Sequence, residues 1–273
     1  MSAATLAFIG GGNMAASLIG GWCRQGAGAG PVRVAEPLPE RRAWLARELG
    51  VAVFADNAEA VQGATAVVLA IKPQQMEPAL AGLRLAPQTL VLSIAAGVGL
   101  ARLRHALGAQ VALVRSMPNT PALVGAGISG LYAEPGLSAA HRDLAERILG
   151  SAGPTVWLGQ EAELDAVTAL SGSGPAYFFL VTECLTEAGI ALGLSAATAR
   201  ALARQTLIGS GRLVESQDTE VAELRRQVTS KGGTTEAALG VLESAGLRTI
   251  FERALHAAAA RSQALGQWSA GAA

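Results

Sequence analysis

The chain has 273 residues, enough for one large domain or two modest ones whose core needs no disulfide or metal staples. Lys and Arg total 21 and Asp and Glu total 21, so the formal charge is zero, which argues against a general polyanion binder such as a nucleic-acid protein. Charged residues reach only 15% and hydrophobic residues 51%, much of it alanine, which reads as large buried helical surfaces with a subunit interface among them, on top of a plain alanine bias.

The first charged residue is Arg24, yet no basic segment opens the chain and Gly10-Gly11-Gly12-Asn13 interrupts the apolar stretch. Neither a signal peptide nor a membrane span is expected, and a cytoplasmic protein is. From Thr5 onward the chain alternates strand-like runs with helical patterns. The expected strands are Thr5–Gly10, Val32–Glu36, Val51–Phe54, Ala66–Lys72, Thr89–Ile94, Val111–Arg115, Gly127–Tyr132 and Thr155–Leu158. Several are nearly continuous apolar runs, as strands covered on both faces require. The first fold expectation is therefore an α/β domain over residues 1–159, a Rossmann-type doubly wound sheet.

Strand-like alternation ends near Gly159. Residues 160–273 are expected to form an all-α domain with helices Glu161–Leu170, Pro175–Leu192, Ala196–Glu215, Glu220–Val228, Thr234–Glu243 and Gly246–Gln267. The second and third of these are apolar around most of their circumference, so they must be covered on several sides. A domain of this size hides only part of that surface within itself, which points to a homodimer through these helices. Cys23 and Cys184 lie in apolar helical contexts and are expected as buried free thiols. The three histidines, His105, His141 and His256, are scattered, and no metal site is expected.

Gly10-Gly11-Gly12-Asn13-Met14-Ala15 reads as G-x-G-x-x-A between the first strand and a helix opening at Asn13. Gly10 makes the tight turn after Ile9, Gly12 admits a pyrophosphate, and the helix N-terminus offers N–H groups to it. Glu36 closes the second strand, where an acidic side chain accepts the ribose hydroxyls of NADH and repels the 2′-phosphate of NADPH. Arg41 and Arg42 follow and would receive that phosphate if Glu36 turned away; a solvated helix start is the alternative. Ala70-Ile71-Lys72-Pro73 and the small residues around Ala96 end two further strands and would line the cofactor. Asn57 would face its adenosine side.

Three more motifs follow: Met117-Pro118-Asn119-Thr120-Pro121-Ala122, Ser171-Gly172-Ser173-Gly174-Pro175-Ala176-Tyr177, and Ser230-Lys231-Gly232-Gly233-Thr234-Thr235-Glu236-Ala237. The last is a Gly-Gly turn entering a helix whose N–H groups, with Ser230 and two threonine hydroxyls, suit a small carboxylate. In this order, together with A-I-K-P and S-I-A-A-G-V, the motifs resemble those of the pyrroline-5-carboxylate reductase family over the whole chain. The resemblance implies a Rossmann domain before a helical dimerisation domain, NADPH or NADH as cofactor, and a small cyclic imine as substrate.

It also implies residue roles. Gly10 to Met14 match the pyrophosphate loop, Asn57 a position near the adenosine ribose, and Lys72, Pro73 and Ala96 cofactor-lining positions. Glu161, Thr234 and Thr235 match positions near the substrate, with the Thr235 hydroxyl meeting the imine nitrogen. The N–H groups from Gly233 to Thr235 would clamp the carboxylate. Glu36 stands where many relatives carry Ser or Thr, and Lys231 where many carry Pro. A related imine or β-hydroxyacid reductase is the nearest alternative; the latter typically has a catalytic lysine on a helix, whereas Lys231 sits in a turn. A non-catalytic nucleotide-binding protein would keep Gly10–Ala15 but has no need of Ser230–Thr235.

Overall fold

A computed structural model describes residues 4–26 and 30–268. Among the described residues, eight strands form one sheet: β1 (Leu6–Ile9), β2 (Val32–Ala35), β3 (Ala52–Phe54), β4 (Ala66–Leu69), β5 (Leu90–Ser93), β6 (Ala112–Met117), β7 (Ser129–Tyr132) and β8 (Thr155–Trp157). Helices α1 (Asn13–Arg24), α2 (Pro39–Leu49), α3 (Asn57–Val61), α4 (Met76–Leu80), α5 (Leu100–Leu107) and α6 (Ala139–Gly150) connect them. The strand order is β3-β2-β1-β4-β5-β6-β7-β8.

The two-residue period of the strands sends alternate side chains into two separate cores. Leu6 and Phe8 of β1 join Leu18 and Trp22 of α1, Leu45 of α2 and Ile148 of α6 on one face. Ala7 and Ile9 of the same strand join Met76 and Leu80 of α4 and Leu103 of α5 on the other. Helices on both faces explain why the strands read as unbroken apolar runs.

The first six strands are parallel, but β7 runs antiparallel to β6, and β8 is parallel to β7. Only a short 3-10 turn, Thr120–Val124, separates β6 from β7. A parallel return needs a crossover of a dozen or more residues, usually a helix, so this Pro-rich loop turns the chain back instead.

The described chain falls into two compact units. One holds the described parts of Met1–Ser173 and Ala258–Ala273, and the other is Gly174–Ala257. The first unit thus runs beyond residue 159. Its helix α7 (Glu163–Val167) and the π turn Thr168–Gly172 belong with the sheet, because Leu164 and Ala169 are buried and Val167 lies over Gly130 of β7.

The second unit holds α8 (Gly174–Ala191), α9 (Ala196–Glu215), α10 (Val221–Gln227), α11 (Thr234–Ser244) and the start of α12 (Leu247–Trp268), which continues into the first unit. α8 and α9 form a helical hairpin with Gly189 close to Ala199. Phe178, Phe179, Leu180 and Leu185 are all more than half exposed in the single chain.

Cys23 and Cys184 are both exposed, against the expectation of buried thiols. Cys184 lies on α8, whose apolar surface is not covered by its own chain. Partial burial still pushes the Cys23 thiol above its usual range, with Arg24 opposing. No helix is long and apolar enough to cross a membrane, and no group of three or more His, Cys, Asp or Glu is placed to hold a metal ion, among the described residues.

Candidate active site

In an open α/β sheet the strand order reverses between β1 and β4, and the crevice beyond their carboxyl ends is where a ligand binds. Gly10 ends β1 there with φ +95°, and a Cβ on it would lie 2.5 Å from the Ala70 carbonyl oxygen at the end of β4. Only glycine allows that turn and that approach. Gly12 precedes Asn13 as the N-cap of α1, and a Cβ on it would meet nothing within 4 Å.

Two cavities open from this point. One, of about 660 Å³, runs over Ile9, Gly10, Gly11, Glu36 and Asn57. The other, of about 400 Å³, runs over Asn13, Met14, Pro73, Ala96, Met117 and Gly172. They share Gly12, Ala70, Ile71 and Lys72, so they form one two-lobed crevice hinged at the Gly-rich turn. The Gly-rich turn, the acidic residue closing β2, and the ends of β3, β4 and β5 are brought together here.

Glu36 is 8% exposed. Its Oε2 accepts the Gly11 N–H at 2.9 Å and its Oε1 accepts the Leu38 N–H at 3.0 Å. The carboxylate therefore shapes the Gly-rich turn and forms part of the lobe wall. Arg41 Nε donates to the Gly11 carbonyl oxygen at 2.6 Å, with its guanidinium over the Trp44 ring. Arg42 donates to the carbonyls of Glu36 and Pro37. Asn57 Nδ2 donates to the Ala79 carbonyl at 3.1 Å, which fixes the amide at the rim. Among the described residues Lys72 forms no ion pair, and its side chain borders both lobes.

Asn119 Oδ1 accepts the Ile128 N–H at 2.9 Å and so braces the Pro-rich loop against the start of β7. Glu161 is engaged within the first unit. Its Oε1 accepts from Arg115 at 2.7 Å and from the Leu100 N–H at the head of α5 at 2.8 Å.

The Gly-Gly turn belongs to the second unit. Gly232 has φ +72°, and its N–H donates to Glu236 Oε2 at 2.6 Å. The Gly233 N–H goes to the Ser230 carbonyl, and the Ser230 hydroxyl occupies the place a Cβ on Gly233 would need. The expected carboxylate clamp from Gly233 to Thr235 is thus corrected at one member: the Gly233 N–H is already taken up. The first-turn donors of α11 without an intrahelical acceptor are those of Thr234, Thr235 and Glu236. Thr235 is half-buried and Thr234 exposed.

Sequence reading passed over Arg41 as a partner of the Gly-rich turn, Glu236 as the brace of the Gly-Gly turn, and Gly172 as a wall of the crevice. Arg41 is 30 residues from Gly11 and meets it only on folding, and Glu236 lies four residues past Gly232 across the turn; neither carries a separate motif. A further cavity of about 200 Å³ lies at the amino ends of β5 and β6, lined by Gln88, Arg104, Gln110 and His141. Its polar groups hold the fold together: Arg104 bonds three carbonyls and Glu134, and His141 bonds Ser138 and the Gln88 carbonyl.

Residues 161–265 match the family model described as pyrroline-5-carboxylate reductase dimerisation, and residues 5–97 match one described as NADP oxidoreductase coenzyme F420-dependent. The chain is 49% identical over 269 residues to the pyrroline-5-carboxylate reductase of Pseudomonas aeruginosa, covering 98% of each. Among solved structures it matches a pyrroline-5-carboxylate reductase from Coxiella burnetii with a TM-score of 0.91 and 38% identity, covering 97% of this chain and 99% of that one. It also matches the Plasmodium falciparum pyrroline carboxylate reductase with NADP bound, with a TM-score of 0.78 and 28% identity over 97% and 99% of the two chains. With full-length identity at this level, the chain belongs to the pyrroline-5-carboxylate reductase family.

Proposed function

We propose that the chain reduces 1-pyrroline-5-carboxylate to L-proline, the last step of proline biosynthesis, with NADPH or NADH as reductant. The observation that carries this reading is the two-lobed crevice hinged at Gly12, in a chain related along its full length to these reductases.

The residues present fit a dinucleotide. Side-chain-free Gly12 leaves open the space where the lobes meet, and the N-terminus of α1 turns its N–H groups and positive dipole end there. On this reading Ile9, Gly10, Gly11, Gly12, Asn13 and Met14 surround the pyrophosphate. Glu36 and Asn57 take the adenosine side, and Ala70, Ile71, Lys72, Pro73 and Ala96 take the nicotinamide side. When bound, the cofactor supplies the hydride from its nicotinamide. Glu36 favours NADH, because its carboxylate stands where a 2′-phosphate would bring like charge.

The protein's task is positioning and polarisation. The N–H groups at the head of α11, from Thr234 onward, receive the substrate carboxylate, with Ser230, Gly232 and Gly233 setting the shape of the turn. The Thr235 hydroxyl donates to the ring nitrogen of the neutral imine or relays a proton to it; toward an imine that arrives protonated, the same oxygen accepts the N–H, because an alcohol is too weak an acid to protonate the ring outright. Glu161, whose Oε1 already accepts two bonds, is assigned a positioning role rather than direct contact.

We divide the work between a cofactor-binding sheet domain, residues 1–159, and a helical substrate and dimerisation domain, residues 160–273; the division is one of function, since α7, the π turn and the end of α12 group with the sheet in the compact units. A homodimer through α8 and α9 would cover Phe178, Phe179 and Leu180, which the single chain leaves about 60% exposed. A reductase of a small biosynthetic imine is placed in the cytoplasm. The test is oxidation of NADH and of NADPH by the purified protein with pyrroline-5-carboxylate. Turnover is expected, faster with NADH; binding of cofactor without turnover of this imine would overturn the reading.

A further inference from the structure

We infer that the end of α12 is a positioning element for the cofactor, acting through backbone contact between Gly266 and Gly97. The proposal rests on the nicotinamide reading of the second lobe. Gly97 follows Ala95 and Ala96, which line that lobe, in the loop between β5 and α5. It has φ +75°, and a Cβ on it would lie 2.8 Å from the Gly266 nitrogen. A Cβ on Gly266 would in turn lie 2.6 Å from the Gly97 carbonyl oxygen. Two backbones meet here with no side chain between them, so the position of one sets the position of the other.

The rest of the loop is held at both ends. Ser93 at its start accepts from the Ser116 hydroxyl through its carbonyl, and Leu100 at its end donates to Glu161. Between those ends, Gly97 meets the Leu265–Gly266 backbone of α12. The helix is seated by Ser262, which is 3% exposed and donates its hydroxyl to Asp165 Oδ1 at 2.6 Å. Glycine inside a helix is unfavourable relative to alanine. At position 266 that preference is overridden, because even a methyl group meets the Gly97 carbonyl. Enlarging it forces the two backbones apart; on this proposal the Ala96–Gly97 loop yields toward the lobe that receives the flat ring, while the Gly-rich turn and Glu36 stay in place.

The experiment compares Gly266→Val, Gly266→Ala and Ser262→Ala with the unaltered full chain. NADH binding is followed by cofactor fluorescence, and ADP-ribose binding by competition. ADP-ribose keeps the adenosine, the pyrophosphate and the second ribose but lacks the nicotinamide. We expect Gly266→Val to weaken NADH on the order of tenfold and to lower kcat by about 10- to 100-fold, since sub-ångström to ångström misplacement costs this much. ADP-ribose affinity should change less than about twofold, and the two milder variants should show the same split at smaller size. Equal weakening of both ligands, or no weakening in any variant, would overturn the proposal while leaving the cofactor reading intact. Unaltered protein that binds neither nucleotide would overturn both.

Discussion

Glu36 and Arg41 hold Gly11 from opposite sides. Glu36 Oε2 takes the Gly11 N–H at 2.9 Å, and Arg41 Nε reaches the Gly11 carbonyl at 2.6 Å. A Cβ at this position would lie 2.5 Å from Leu45 Cδ1, so a larger residue there requires the buried Leu45 side chain to shift. The peptide orientation of the Gly-rich turn is thus set by one anion and one cation carried on the segment that follows β2.

The first prediction concerns the anion. In Glu36→Ser, the ribose loses its acceptor and a 2′-phosphate loses its repulsive neighbour. Both changes move preference toward NADPH. A unit charge a few ångströms away in a partly wet crevice contributes about 1–2 kcal/mol, so the ratio of kcat/KM for NADPH over NADH should rise roughly tenfold or more. A ratio that stays put would mean that Glu36 serves only the turn.

The hydroxyl of Thr235 is tested by Thr235→Ala, which should lower kcat about 10²-fold with the cofactor KM little changed. Thr235→Ser should recover most of the rate, because it restores the donor while removing only a methyl group. A serine variant as slow as the alanine variant would assign Thr235 a packing role.

The strands and helices were legible because each carries its own period. The eight strand runs and the helix Ala196–Glu215 can be read from local alternation, and the Gly-rich turn from its spacing. What was not legible depends on distant partners. The π turn Thr168–Gly172 has the same apolar rhythm as an α-helix, so its widened backbone leaves no mark in the sequence. The reversal of β7 follows from a loop too short for a crossover helix, a matter of length rather than of residue type. Cys23 sits at the outer end of α1, where an apolar neighbourhood in sequence does not fix which side faces the core, and Cys184 reads as buried because α8 is apolar all round. Its cover, however, is not supplied by its own chain, and the reading from composition cannot tell one source of burial from another. At the site, Glu36 was placed at the end of its strand, but its bond to Gly11 joins residues 25 apart and emerges only on folding.

Association through α8 gives the third prediction. Leu185 is 54% exposed in the single chain, so Leu185→Glu disturbs no core of that chain. A charge buried at an interface is strongly unfavourable. Sedimentation velocity should show a dimer or larger species for the unaltered protein and a monomer for Leu185→Glu, with helical circular dichroism retained. In the unaltered protein Cys184, also on α8, should be shielded from iodoacetamide. Cys23 should react, slowly at neutral pH because its raised pKa keeps the thiolate scarce, and faster as pH rises. Leu185→Glu that still sediments as a dimer would place the contact elsewhere.

The last prediction separates two roles for Glu161. Its carboxylate pairs with Arg115, whose side chain is only 12% exposed, and closes the N-terminus of α5 through Leu100. In Glu161→Ala the guanidinium is left largely buried without its anion and one helix donor loses its acceptor. Together these should cost about 2–3 kcal/mol. At roughly 2–4 °C per kcal/mol for a chain of this size, Tm should fall by about 4–12 °C. Arg115→Met removes the stranded charge, so the double variant should be no less stable than Glu161→Ala alone. That non-additivity is the signature of a pair. If Glu161 instead contacts the substrate directly, Tm will hardly move, and the KM for pyrroline-5-carboxylate will rise without any dependence on Arg115.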